Sequence, residues 1–173
     1  KGLEYLLEAM RQIEAHLVIV GEGVRGARLR RQARRLGVAD RVSFLGHQPF
    51  EEMVALYHAC QIFVLPSTTA YEAFGIVQLE AQACGRPVVS TALPTGVPFV
   101  NLHGVTGLVV PPREAQALAE AVNRLLNDAP LRERLGRAAQ ARVEREFTSE
   151  RMVEDDRWRY QQVAGTPRAR DAA

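Results

Sequence analysis

The chain has almost no lysine. Lys1 is the only one, and every other cationic side chain is an arginine; 22 basic residues face 20 acidic ones for a formal net charge of +2. A balance so close to neutral leaves no electrostatic footprint for nucleic acid, and the arginine and alanine excess reads as codon bias. Cysteine is nearly as scarce. Cys60 and Cys84 stand far apart with no metal-like spacing, so they read as small buried apolar side chains in a reducing cytosol. The histidines His16, His47, His58 and His103 are scattered, and no Asp-x-Asp occurs, since Asp155-Asp156 are adjacent. No metal site is therefore expected. No apolar run reaches the ~18–20 residues that a membrane span needs, and no signal peptide is visible, so the expectation is a soluble cytoplasmic chain.

What is present is ordinary in bulk: 173 residues, 47% hydrophobic and 24% charged, enough for one domain with a sizeable core. Short apolar runs end on turn residues: Leu17 to Val20 before Gly21, Val42 to Leu45 before Gly46, Ile62 to Leu65 before Pro66-Ser67, Val88-Val89 after Pro87, and Leu108 to Val110 before Pro111-Pro112. Such runs suit strands of a parallel sheet covered on both faces. Helical patterns lie between them, at 25–36, 50–59, 75–84 and 113–127, and the alternation predicts a doubly wound, Rossmann-like α/β sheet. The run from Thr91 to Thr106 reads mainly as loop. The chain then turns wholly helical, with further helices at 131–146 and 149–163, the last capped by Thr148-Ser149. Residues 1–164 form the expected domain, and the Pro-, Arg- and Ala-rich 165–173 a flexible tail. At the other end, Lys1-Gly2 runs at once into the helix face Leu3, Leu6, Leu7 and Met10, which reads as the continuation of something longer.

Gly21, Gly23 and Gly26 fit G-x-G-x-x-G between a strand and a helix. A dinucleotide site also needs an acid after the next strand. That strand ends Ser43-Phe44-Leu45-Gly46-His47, and Asp40 comes too early. The glycine turn thus favours close approach of some nucleotide rather than NAD.

The most informative segment is Glu72-Ala-Phe-Gly-Ile-Val-Gln-Leu-Glu80. A strand ends at Ser67 and a helix opens near Phe74 or Gly75, so Glu72 precedes the helix and Glu80 lies one to two turns inside it, with Ile76, Leu79 and Ala83 spaced to face the core. Free N–H groups of Phe74, Gly75 and Ile76 at a helix start form an anion site, and Gly75 offers no side chain to block a phosphate. Open α/β sheets bind ligands at the carboxyl ends of their strands, where Gly21, Gly46, Ser67 and Glu72 all fall. Carboxylates flanking an anion hole suit a ligand with phosphate in the middle and hydroxyls at both ends, such as a nucleoside diphosphate sugar. On spacing alone another reading stands beside it, with Glu72 as a helix cap and Glu80 as a solvated or ion-paired residue.

Two glutamates separated by seven residues, with Phe-Gly-Ile between them, resemble the signature of family four of the GT-B retaining glycosyltransferases. The resemblance runs over essentially the whole chain. Lys1-Gly2, Gly21-Glu22-Gly23, Val42 to Gly46, Phe63 to Ser67, Gly85 to Val89 and Gly104 to Pro111 are similar to successive landmarks of that family's C-terminal domain. It implies that Lys1 contacts the diphosphate and that Glu72 holds the donor sugar or stabilises its transition state. Phe74, Gly75, Ile76 and Val77 would offer backbone to phosphates and sugar. Glu80 would bind the ribose hydroxyls, Gln48 would lie near the base, and Gly21, Glu22 and Gly23 would line the nucleotide pocket. The implied partners are a nucleotide-sugar donor, a saccharide or lipid-linked acceptor and an N-terminal domain absent here; no cofactor or metal is implied. The fragment alone would be inactive. The family's arginine-bearing strand before the Lys-Gly is missing as well, and in a doubly wound order it would be central. Glu72-Ala-Phe-Gly and Leu93 to Pro98 look most like bacterial mannosyl- and rhamnosyl-type transferases of surface polysaccharides.

Other features stay in the background. The arginines from Arg25 to Arg35 make a basic helix that reads as a solvated face, with peripheral contact to anionic lipid as the alternative. Arg132, Arg134, Arg137, Arg142 and Arg145 interleave with glutamates as surface pairs, and Trp158 reads as core packing. Two other functions share the predicted architecture: a sugar-nucleotide epimerase, which the Phe-Gly-Ile disfavours, and a nucleotide-binding module without chemistry.

Overall fold

The computed structural model describes residues 1–164; the stretch 165–173, expected to fray, lies outside the described residues. The apolar runs become β1 (Leu17–Val20), β2 (Val42–Gly46), β3 (Phe63–Leu65), β4 (Val88–Thr91) and β5 (Gly107–Val110). The helices are α1 (Leu3–Ala9), α2 (Gly26–Arg35), α3 (Phe50–Ala59), α4 (Ile76–Ala83), α5 (Val97–Val100), α6 (Ala115–Asn127), α7 (Ala129–Glu146) and α8 (Ser149–Ala164), with a 3₁₀ turn at Ala39–Arg41. Every strand pairing is parallel, with Leu17 opposite Val42, Phe63 opposite Val88 and Val88 opposite Gly107. Parallel neighbours need crossovers, and the helices supply them.

The sheet is divided. β1 pairs with β2, and β3, β4 and β5 form a separate sheet in that order. Among the described residues β1 and β3 therefore each keep one edge without a ladder partner, at the place where the family resemblance expects the further central strand. One apolar core nonetheless spans both sheets. Leu7, Met10 and Ile13 from α1 and its exit meet Ile19 and Val42 on one side, Val89, Leu108 and Val110 on the other, and Leu118, Leu125 and Leu135 of α6 and α7. Packing across the division thus runs through α1 and α6 rather than through a hydrogen-bond ladder.

The segment read as loop from Thr91 contains the single turn α5. Pro98 fixes a helical φ near its start, and Val97 and Val100 are buried. A polar network then holds the chain that follows. The Asn101 side-chain amide donates to the carbonyls of Val88 and Leu108 and to Ser90 Oγ, and its carbonyl accepts from Thr106. Arg142 is also drawn inward. Expected on the surface, it is 6% exposed, donates to the Val100 carbonyl at 2.6 Å and lies over the rings of Phe99 and Phe147. Glu146 compensates its charge at 2.8 Å, as a buried guanidinium requires. Arg137 and Arg145 do make surface pairs, with Glu133 and Glu146. Trp158 departs from expectation in the other direction. It is 61% exposed, because α8 leaves the body and its described side chains are all exposed. No helix among the described residues is long and apolar enough to cross a membrane.

Asn101→Ala removes a buried donor from several acceptors at once. It is expected to cost about 2–3 kcal/mol, read as a lower urea midpoint at unchanged slope.

Candidate functional site

The site starts from a backbone contact. Gly2 adopts a left-handed conformation against the end of β3, where an added Cβ would stand 1.8 Å from the Pro66 carbonyl oxygen. Only glycine fits there, and the fit sets Lys1 above the loop that follows β3. The Lys1 ammonium makes an ion pair with Glu72 Oε2, and the same oxygen accepts from Ser67 Oγ at 3.2 Å. Thr91, at the end of β4, in turn donates its hydroxyl to the Ser67 carbonyl. The Glu72 side chain is 14% exposed and that of Lys1 70%. The carboxylate is therefore largely shielded while the ammonium is open to solvent.

From Glu72 the chain passes Ala73 and Phe74 to Gly75, which is left-handed (φ 72, ψ 60) and caps α4 without any side-chain hydrogen bond. Among the described residues no side chain caps the N–H groups opening α4, where the positive end of the helix dipole lies. The approach is braced from behind. Gly96 N–H donates to the Ala73 carbonyl at 2.8 Å, Gln78 Nε2 donates to the Phe74 carbonyl at 2.7 Å, and the Phe74 ring meets Phe147 edge-on at 6.2 Å.

Two details of α4 differ from expectation. Its core face is Gln78, Ala81 and Gln82, whereas Ile76 is 66% exposed and Ala83 is exposed. The glutamines go inside because their amides reach the carbonyls of Phe74, Val97 and Val100 and the Thr106 hydroxyl. Such loop carbonyls need donors that leucine or isoleucine lacks. Gly75 is needed for a different reason than clearing a phosphate. A Cβ there would point inward, 2.6 Å from Leu65 Cδ2.

Glu80 lies on the next turn of α4. Its Oε2 accepts from the hydroxyl of Tyr57, on α3, at 2.8 Å. Burial first, then the bond to Glu80, push the Tyr57 hydroxyl well above the ordinary tyrosine range, so it is held as a donor. Cys60 and Cys84 are half-buried, free, and pushed up chiefly by burial.

A second group forms at the carboxyl ends of β1 and β2. Gly21 N–H donates to the Gly46 carbonyl at 2.7 Å, and the Glu22 carboxylate lies beside Gly46. Gln48 turns its amide back onto the carbonyls of Leu45 and His47. The structure thus joins Lys1 to Glu72 and Gly21 and Glu22 to Gly46. No hydrogen bond joins the two groups among the described residues. A groove of about 420 Å³ between α1 and α2, lined by Glu4, Glu8, Arg28, Arg31 and Arg35, lies apart from both. Among the described residues no three His, Cys, Asp or Glu side chains gather to hold a metal ion. Sequence reasoning missed Tyr57, Ser67 and Thr91 as supports. No local pattern signals contacts made across separate elements.

Parallel strands joined by crossover helices, with a helix start beside a lysine and a carboxylate at the end of β3, define the class: a Rossmann-like α/β domain. The chain belongs to the glycosyl transferases group 1 family, whose model matches residues 1–142. It is 38% identical over 154 residues to O-antigen chain mannosyltransferase C of Escherichia coli, covering 89% of this chain and 41% of that protein. It is 41% identical over 149 residues to the D-rhamnosyltransferase WbpZ of Pseudomonas aeruginosa, covering 86% and 39%. In structure it is similar to Anabaena HepE, solved in complex with UDP-glucose, with a TM-score of 0.83 and 29% identity over 96% of this chain and 46% of that one. The chain spans about two fifths of the length of the curated relatives it matches. Its fold is that of a GT-B C-terminal domain.

Two outcomes follow from the geometry. Gly75→Ala forces a left-handed alanine against Leu65 and should lower stability by about 1–3 kcal/mol, read by thermal unfolding. Because the folded state keeps the Tyr57 proton that the unfolded chain releases, stability is intact below about pH 10 and falls as pH rises beyond it. Denaturant titrations across that range should show the loss, and Tyr57→Phe should flatten it.

Proposed function

We propose that this chain is the donor-binding half of a retaining glycosyltransferase, which binds a nucleoside diphosphate sugar. Together with another domain it passes the sugar to a saccharide or lipid-linked acceptor in polysaccharide or glycolipid synthesis. The observation that carries this reading is the meeting of Lys1, Glu72 and the uncapped start of α4 at the carboxyl end of β3. The mannosyl- and rhamnosyltransferase relatives support the surface-polysaccharide setting, and the UDP-glucose bound to HepE supports the donor class.

In this reading the diphosphate takes the place that Glu72 now occupies on Lys1. The exposed lysine swings to the β-phosphate, and the N–H groups of Phe74 to Val77 meet its oxygens. Glu72, freed from its ion pair but still held by Ser67, faces the sugar. The bond from C1 to the β-phosphate oxygen breaks, and its electron pair leaves with the diphosphate. An acceptor oxygen bonds to C1 on the same face, and its proton departs with the leaving group. Charge growing on the phosphate is stabilised by helix-start dipoles and by the ammonium that donor binding has brought to it, both in position before the bond breaks, which is the condition for electrostatic catalysis. Glu80 grips the pentose hydroxyls. Gly21, Glu22 and Gly23 line the nucleotide side, and Gln48 stands near the base.

The test is calorimetry and turnover in the intact protein that carries this domain, with UDP-, GDP- and ADP-sugars. Glu80→Ala should weaken nucleotide binding about tenfold or more, and Lys1→Ala should lower turnover by about 10²–10³. Unchanged affinity in Glu80→Ala refutes the ribose role. Inversion at a sugar carbon without transfer points to an epimerase, and binding without any turnover to a module.

A further inference from the structure

We propose that Tyr57 is a positioning residue for donor binding, which presets the Glu80 carboxylate for the pentose hydroxyls. The inference rests on the reading that Glu80 grips the pentose.

Tyr57 belongs to α3, the helix that begins directly after Gln48 and Pro49, and its side chain is buried. The ring cannot wander. It meets Phe63 edge-on with centroids 5.6 Å apart and packs with Ala81 and Val88. From this fixed ring the hydroxyl donates to one oxygen of Glu80, Oε2, at 2.8 Å. No other side chain bonds the Glu80 carboxylate among the described residues, so Oε1 remains for a ligand.

The chemistry of the partner matters. An arginine at this place would engage both carboxylate oxygens and neutralise them. A phenol occupies one oxygen, adds no charge, and leaves the other oxygen of the carboxylate to accept. Vicinal hydroxyls must then meet a carboxylate whose torsions are already set, so less rotamer entropy is lost on binding. A tyrosine with only a packing role would satisfy its hydroxyl on any nearby acceptor. Here the acceptor is the residue assigned to the pentose.

The experiment is a cycle in the intact protein, crossing Tyr57→Phe and Glu80→Ala with UDP and GDP and their 2′,3′-dideoxy counterparts, by calorimetry. Removing this hydrogen bond, which acts on the ligand only through the position of the carboxylate, is expected to weaken the ribonucleotide roughly three- to tenfold. The dideoxy form should be unaffected, the rise should fall on the donor KM, and Tyr57→Phe should add nothing on the Glu80→Ala background. Equal weakening of ribo- and dideoxynucleotide, or no weakening of either, overturns the role of Tyr57. If wild-type protein binds dideoxy- and ribonucleotides alike, or Glu80→Ala changes nothing, the underlying pentose reading fails instead. That last comparison on wild-type protein needs no variant to fold.

Discussion

The site depends on one close contact, the backbone of Gly2 lying against the Pro66 carbonyl. Any side chain at that position would lift the N-terminal segment off the end of β3 and carry Lys1 away from Glu72. The contact joins α1, which packs chiefly against α6 and α2, to the sheet that bears the site. With the ladder divided between β1 and β3, apolar packing from α1 and α6 and this polar junction hold the two sheets in one body. Stability and site geometry therefore share a single element.

Around that junction the polar groups divide by task. Ser67, Thr91 and Gln78 hold the Glu72-to-Gly75 loop from the inside, where loop carbonyls and hydroxyls have to be satisfied without water. The Lys1 side chain stays outside. The charges there are compensated by one another, Lys1 with Glu72. In the proposed function an incoming diphosphate exchanges with that carboxylate, so the lysine does not have to be stripped of water unaided.

Much of this was legible in the chain itself. The strands and most helices are marked by apolar runs and glycine or proline stops. α3 fell on its expected 50–59, between Pro49 and Cys60. The glutamate pair placed the helix start correctly, since a strand end, a glycine and a helical pattern coincide there. The inward face of α4 was misread. Apolar spacing favoured Ile76 and Ala83, but the pocket beneath is made of carbonyls, and buried glutamines answer carbonyls better than aliphatic side chains do. Arg142 was misread for a related reason. Its i,i+4 partner Glu146 looks like a surface pair, and nothing local reveals that Phe99 and Phe147 fold over it. Tyr57 could not be found at all, because it meets Glu80 across 23 residues and between two helices.

The central claim is that the start of α4, with Lys1, receives the diphosphate. It is tested most directly by backbone amide NMR of the intact protein titrated with UDP and with GDP. The account predicts the largest shifts at Gly75, Ile76 and Val77, together with loss of the Lys1–Glu72 contact. Shifts concentrated at Arg28, Arg31 and Arg35 in the groove between α1 and α2, with the α4 amides unmoved, would contradict it.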